Sequence, residues 1–130
     1  MTWAMHPKQK ANVILMKSAE RYGYFVKRVA DWQEVWGLWN NGWALLGDDN
    51  NEDCFPVWPH PELAALYVTG DWAGYTPKSI EVHEWVEKWL PDLGREGRRI
   101  AVFPVEGQTC SIANSDRLKH DIEEELDKME

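Results

Sequence analysis

The chain has 130 residues, 44% of them apolar, and its 14 Lys+Arg stand against 22 Asp+Glu, a formal charge of −8. A single domain of this length buries roughly two-thirds of its unfolded surface, enough for one core without staples. Net negative charge with no dense Lys/Arg cluster disfavours a phosphate backbone, and no apolar run approaches the ~18 residues of a membrane span, so neither nucleic acid nor membrane is expected as a partner.

Near the N-terminus the apolar run Val13 to Met16 is too short for a secretory signal, so the chain reads as cytoplasmic. Residues 1–17 are expected to form a helical extension of a single domain covering 1–130. Leu15, Ala19, Tyr22, Val26 and Val29 draw one apolar stripe at helical spacing. Gly23 weakens that pattern and Ser18 can cap a second, firmer helix ending near Asp31. The segment Glu34 to Gly47 then predicts a β-hairpin, because Asn41-Gly42 suits a two-residue type I′ turn between aromatic and aliphatic flanks. In that register Asn40 opposes Trp43, and Trp36, Leu38, Trp43 and Leu45 share a face.

An acidic loop from Gly47 to Asp53 leads into a third strand, Cys54 to Trp58, which Pro56 pushes toward an edge or a bulge. The three strands make a meander. Pro61 and Glu62 open a helix through Leu63, Leu66 and Tyr67 that stops near Gly70. A loop from Asp71 to Pro77 and a short extended stretch around Ser79 to Glu81 follow. Val82, Trp85, Val86, Trp89, Leu90 and Leu93 form a broad helical face that Pro91 bends or ends. Arg98 to Phe103 and Gln108 to Ala113 predict a second hairpin, and a last helix capped by Ser115 buries Leu118, Ile122, Leu126 and Met129. Strand groups interleaved with helices, without strict β-α-β alternation, give an α+β fold: a mainly antiparallel sheet packed against helices.

The blocks Arg21 to Asp31, Val35 to Leu38, Gly42 to Leu45, Pro56 to Glu62, Gly70 to Tyr75, Glu87 to Pro91 and Ile100 to Pro104 occur in the order of the bacterial DUF2750 family, which the chain resembles from about Ser18 onward. The resemblance implies a compact intracellular bacterial domain and no defined reaction. More loosely, the element order is similar to SseB-type domains, a topological likeness that carries no function.

No nucleotide-binding loop, nucleophile elbow or metal-ligand spacing occurs, so no cofactor and no metal is expected. Asp49, Asn51 and Asp53 match the start of a calcium loop, but Cys54 and His60 stand where its glycine and bidentate glutamate belong, leaving a solvated loop. Cys54 and Cys110 read as reduced, buried thiols. Nine tryptophans are the compositional oddity. Trp32, Trp36, Trp85 and Trp89 fall at core positions, Trp39 on a sheet face and Trp3 in the terminus. Trp43, Trp58 and Trp72 lie beside a turn or in loops, where binding residues concentrate. Trp58, His60, Glu62, Asp71, Trp72 and Tyr75 are therefore the candidate binding patch, the alternative being that Trp72 and Tyr75 plug their loop onto the sheet edge. Three functions are carried forward: a non-catalytic interaction module for a protein partner, acting as a monomer or weak homodimer; a small-ligand binder using the aromatic loop; and a small hydrolase using His60 with Glu62 or Asp71.

Overall fold

The computed structural model describes residues 4–47 and 53–129. Helix α1 spans Pro7–Ile14, with Pro7 in its first turn and the His6 imidazole accepting the Lys8 amide. Helix α2, Ser18–Trp32, restarts the helical phase behind Lys17, whose amide donates to the Glu20 carboxylate. That restart takes Leu15 and Ala19 off the expected stripe, and Leu15 is 78% exposed. The buried face of α2 begins at Arg21 and Tyr22 and continues through Phe25, Val26, Val29 and Ala30. Gln33 ends the helix in the left-handed region at φ 63°, its amide returning to the Val29 carbonyl.

Strand β1, Glu34–Trp39, folds back on residues 43–47 only next to the turn, through the Trp39–Trp43 bridge and the Ala44 amide bond of 2.9 Å to the Leu38 carbonyl, and not along the expected hairpin. It pairs antiparallel with β4, Thr76–Glu81, from Glu34 against Glu81 to Trp39 against Thr76. At the turn Trp39, and not Asn40, opposes Trp43. Asn41 has φ 56° but Gly42 is not in the left-handed region, so the type I′ turn, which needs both, does not form. The one-residue shift puts Trp43 on the face of Trp39 and Gly37 and away from Leu38. The Trp43 ring lies directly on Gly37, where an added Cβ would stand 2.9 Å from ring carbon Cζ3.

The larger sheet has the order β2-β3-β5-β6, with β2 Leu46–Gly47, β3 Asp53–Val57, β5 Arg99–Val102 and β6 Ser111–Ala113. Its ladders are antiparallel except for β3 and β5, which run parallel. The expected meander is thus split between two sheets, joined where Trp36 and Trp58 exchange backbone hydrogen bonds of 2.9 and 2.8 Å. Of the two positions expected from Pro56, an edge or a bulge, the edge is not taken: strand β3 is interior. Pro56 is tolerated because β2 pairs only with Asp53 and Cys54, so the ladder on that side has already ended. The fold is α+β, and the C-terminal hairpin β5-β6 forms where its sequence placed it.

Helix α3, Pro61–Ala65, is shorter than expected and leaves Leu66 46% exposed. A single 3₁₀ turn, Gly70–Trp72, precedes β4. The next helical run consists of α4 Val82–Glu84, a π-turn Trp85–Trp89, and α5 Leu90–Arg95. Pro91 lies inside this run: the Leu90 amide reaches back five residues to the Trp85 carbonyl, and the widened turn accommodates the proline ring. Helix α6, Ser115–Lys128, is capped by Asn114, whose side chain accepts the Arg117 amide at 2.8 Å, and not by Ser115. It buries Leu118 and Ile122 fully, while Met129, expected in the core, lies past the helix end at 47% exposure. Phe25, Val29, Leu38, Phe55, Ile100 and Leu118 are among the residues of the one core between helices and sheets.

Candidate functional site

The six residues of the sequence-predicted patch lie in one region but at different depths. Trp58 is fully buried, and its indole N–H donates to the Pro104 carbonyl at 2.9 Å. His60 is 1% exposed: it caps α3 by accepting the Glu62 amide on Nδ1 at 3.1 Å, and its ring meets Trp32 edge-on. These two are therefore corrected from surface to interior positions, since Pro-His-Pro turns the chain inward to start a helix. Glu62 holds the N-terminal segment, accepting the Met5 amide at 2.7 Å and pairing with Lys10 at 3.2 Å. The Met5 amide is the main reason its carboxyl lies below the usual carboxylate range, against a smaller opposing effect of burial, with Lys10 adding to the lowering.

The outward part is a line of rings. Trp58 contacts Tyr67 at 5.5 Å between centroids, Tyr67 contacts Trp72 at 6.4 Å, and Trp72 meets Tyr75 at 5.3 Å in a T-shaped pair. The buried Trp58 thus supports the half-buried Trp72 and Tyr75 from beneath. Beside Trp72 is an open recess of about 330 Å³ lined by Tyr67, Thr69, Gly70, Asp71, Trp72 and Glu106. Gly70, at φ 56°, lets the chain turn there into the 3₁₀ turn that carries Asp71 and Trp72. The Thr69 hydroxyl donates to Glu106 at 2.6 Å, fixing a carboxylate from the β5-β6 loop opposite Asp71's loop. Among the described residues neither Asp71 nor Glu106 has a cationic partner. Sequence reasoning missed Tyr67, Thr69 and Glu106. Glu106-Gly107 was legible as a turn, but nothing local to it says that the turn folds over toward residue 69.

The loop carrying Glu106 is anchored by Arg21, a buried guanidinium whose hydrogen bonds go to uncharged acceptors. It donates to the carbonyls of Phe103 at 3.0 Å and Met16 at 2.6 Å, to the Gln108 side chain at 2.9 Å, and to the Thr109 carbonyl. Phe103, at φ 53°, and Gly107, at φ 78°, bend the loop around it.

A second aromatic group was not assembled by sequence reasoning. Trp43, Phe55 and Trp89 contact one another at 5.3 to 5.6 Å, Trp43 against Trp89 at 86°, at the base of a cleft of about 510 Å³. The helical spacing of Trp85 and Trp89 placed both on one face, but only the tertiary fold brings Trp43 and Phe55 to them. The Lys78 ammonium stands 3.9 Å from the Trp39 centroid and 5.5 Å from that of Trp43.

The Nδ1 of His60 is spent on the α3 cap, and the Glu62 carboxylate turns to Met5 and Lys10. Of the other histidines, His6 caps α1, His83 bonds Glu81 at 2.7 Å and His120 stands 3.5 Å from Glu124. Among the described residues no group of three or more His, Cys, Asp or Glu side chains could hold a metal ion. The Asp49 and Asn51 positions of the calcium reading lie outside the described residues, as does Trp3, while Asp53 opens β3. Cys54 and Cys110 form no disulfide and line one cleft on the outer face of the larger sheet; Cys54 is buried, whereas Cys110, also expected to be buried, is half-buried. Burial pushes the Cys110 thiol up, against the pull of Arg21. No described helix is long and apolar enough to cross a membrane.

No curated protein matches the chain. A family model described as a protein of unknown function, DUF2750, matches residues 22–122, from the second buried position of α2 to the last fully buried residue of α6. That span takes in both sheets, the recess and the aromatic cleft, and the chain belongs to the DUF2750 family.

Proposed function

We propose that this domain is a non-catalytic interaction module of the bacterial cytoplasm that receives a lysine or arginine side chain of a protein partner in the recess beside Trp72. The observation that carries the proposal is the pairing, in one recess, of a half-buried indole with two carboxylates, Asp71 and Glu106, that have no cation of their own among the described residues. An indole face attracts a cation through its quadrupole, by roughly 0.5–1 kcal/mol at an exposed site. Each exposed carboxylate adds about 0.2–1 kcal/mol. The sum, about 1–3 kcal/mol, is too little to hold a free cation tightly, which suits a contact made within a larger protein surface. The formal charge of −8 favours encounter with a basic partner. Two cysteines that form no disulfide accord with a reducing compartment.

The test is affinity capture from the host with three baits: wild type, Trp72→Ala, and Asp71→Asn/Glu106→Gln. The proposal expects one basic protein retained by wild type at low salt and lost with both variants and with raised salt. Equal retention of the same protein by all three baits would sink it.

A further inference from the structure

We propose that the cleft over Trp43, Phe55 and Trp89 is a separate small-molecule site, and that its ligand is a free α-amino acid with a large apolar side chain. The site lies apart from the Trp72 recess and shares no lining residue with it. Its base is three rings in mutual contact, with Trp43 and Trp89 half-buried and open to the cleft. At about 510 Å³ it falls within the usual range for small-ligand sites, roughly 300–1,000 Å³.

The charges on the rim select the ligand's head. Asp92 is taken by Arg95, and Glu96 is paired with Arg98 at 3.9 Å. Glu84 and Lys88 also line the cleft, one helical turn apart, and among the described residues neither makes an ion pair, with each other or with any other group. Glutamate four residues before lysine is the arrangement that favours pairing on a helix, so the open pair leaves one acceptor of cations and one donor to anions at the same edge. An α-amino acid presents its ammonium and carboxylate from one carbon atom, so a single molecule can answer both while its side chain lies on the rings. The apolar base excludes small or polar side chains, which would leave it uncovered.

The probes are L-phenylalanine, phenethylamine, 3-phenylpropionate and glycine, added to the full-length protein and followed through the indole N–H resonances of Trp43 and Trp89. L-Phenylalanine is expected to bind at least about tenfold more tightly than either phenethylamine or 3-phenylpropionate, and glycine to leave the signals unmoved. Glu84→Gln should weaken phenylalanine and phenethylamine but spare 3-phenylpropionate, and Lys88→Met should do the converse. Both positions are exposed, so neither variant disturbs the core. Equal affinity for the three aromatic probes would overturn the zwitterion reading. No response to phenylalanine up to its solubility limit, or a response confined to Trp72, would overturn the site. The experiment does not involve the Trp72 recess, so its failure leaves the proposed function standing.

Discussion

Replacing Arg21 by methionine removes the guanidinium that hydrogen-bonds α2 to the loop carrying Glu106. The guanidinium satisfies four acceptors, those of Phe103, Met16, Gln108 and Thr109, of which Gln108 and Thr109 belong to exposed residues and can turn to water. The Phe103 carbonyl is buried and that of Met16 partly so; they lose their partner, at about 1–3 kcal/mol for each acceptor left unsatisfied. Relief of the buried charge offsets part of the loss, since no carboxylate compensates it. The net expectation is a destabilisation of about 2–4 kcal/mol by urea titration with an unchanged m-value. Amide exchange should quicken across residues 103–110 before it does elsewhere. Arg21→Lys should recover less than half of the loss, because one ammonium cannot reproduce the planar fork. A loss under about 1 kcal/mol for methionine, with native exchange in the loop, would refute the assignment of Arg21 as its anchor.

Other positions give independent tests. Gly37→Ala forces the Trp43 ring away from the strand and is expected to cost about 1–3 kcal/mol and alter the near-ultraviolet circular dichroism; unchanged stability and spectrum would mean the ring does not rest there. Glu62, whose carboxyl lies lower in the fold than in the unfolded chain, stabilises the docked N-terminal segment above the unfolded value of about 4.3, and that contribution is lost as pH falls through the lowered folded value. The Met5 amide should therefore lose protection in acid while the core persists, and Glu62→Gln should remove that pH dependence; an identical titration in the variant would contradict the assignment. Trp58→Phe deletes the buried indole hydrogen bond to Pro104 and should cost about 1–3 kcal/mol in thermal or urea unfolding, with a neutral result pointing to another anchor beneath Tyr67.

The parts of the fold that were legible in the sequence are those set by local spacing. Val26, Val29, Leu118 and Ile122 repeat at helical intervals, and α2 and α6 bury them. Two short apolar runs around Glu106-Gly107 form the β5-β6 hairpin for the same reason. What was not legible is non-local. Asn41-Gly42 is a strong turn signal, yet β1 spends its ladder on β4, and the turn is reset so that Trp43 can lie on Gly37. Pro91 announced an interruption, but absorption in a π-turn depends on how Trp85 and Trp89 pack against Phe55. The candidate site was half legible. Trp72 and Tyr75 were found because they stand in a glycine-flanked loop, whereas Trp58 and His60 carry similar local signals and are buried by α3 and by the loop at Pro104. Glu106 was missed because its approach to Thr69 spans 37 residues of chain.

The proposed role of the Trp72 recess is to take a cation presented by a protein. The deciding measurement is an NMR titration of the full-length protein with two otherwise identical peptides, one carrying arginine and one glutamate at the central position. The arginine peptide should shift the Trp72 indole N–H and the Gly70 and Glu106 amides, weaken with salt, and lose about three- to tenfold in affinity on Trp72→Ala or on Asp71→Asn/Glu106→Gln. Equal binding of the two peptides, or shifts that survive both variants, would contradict it.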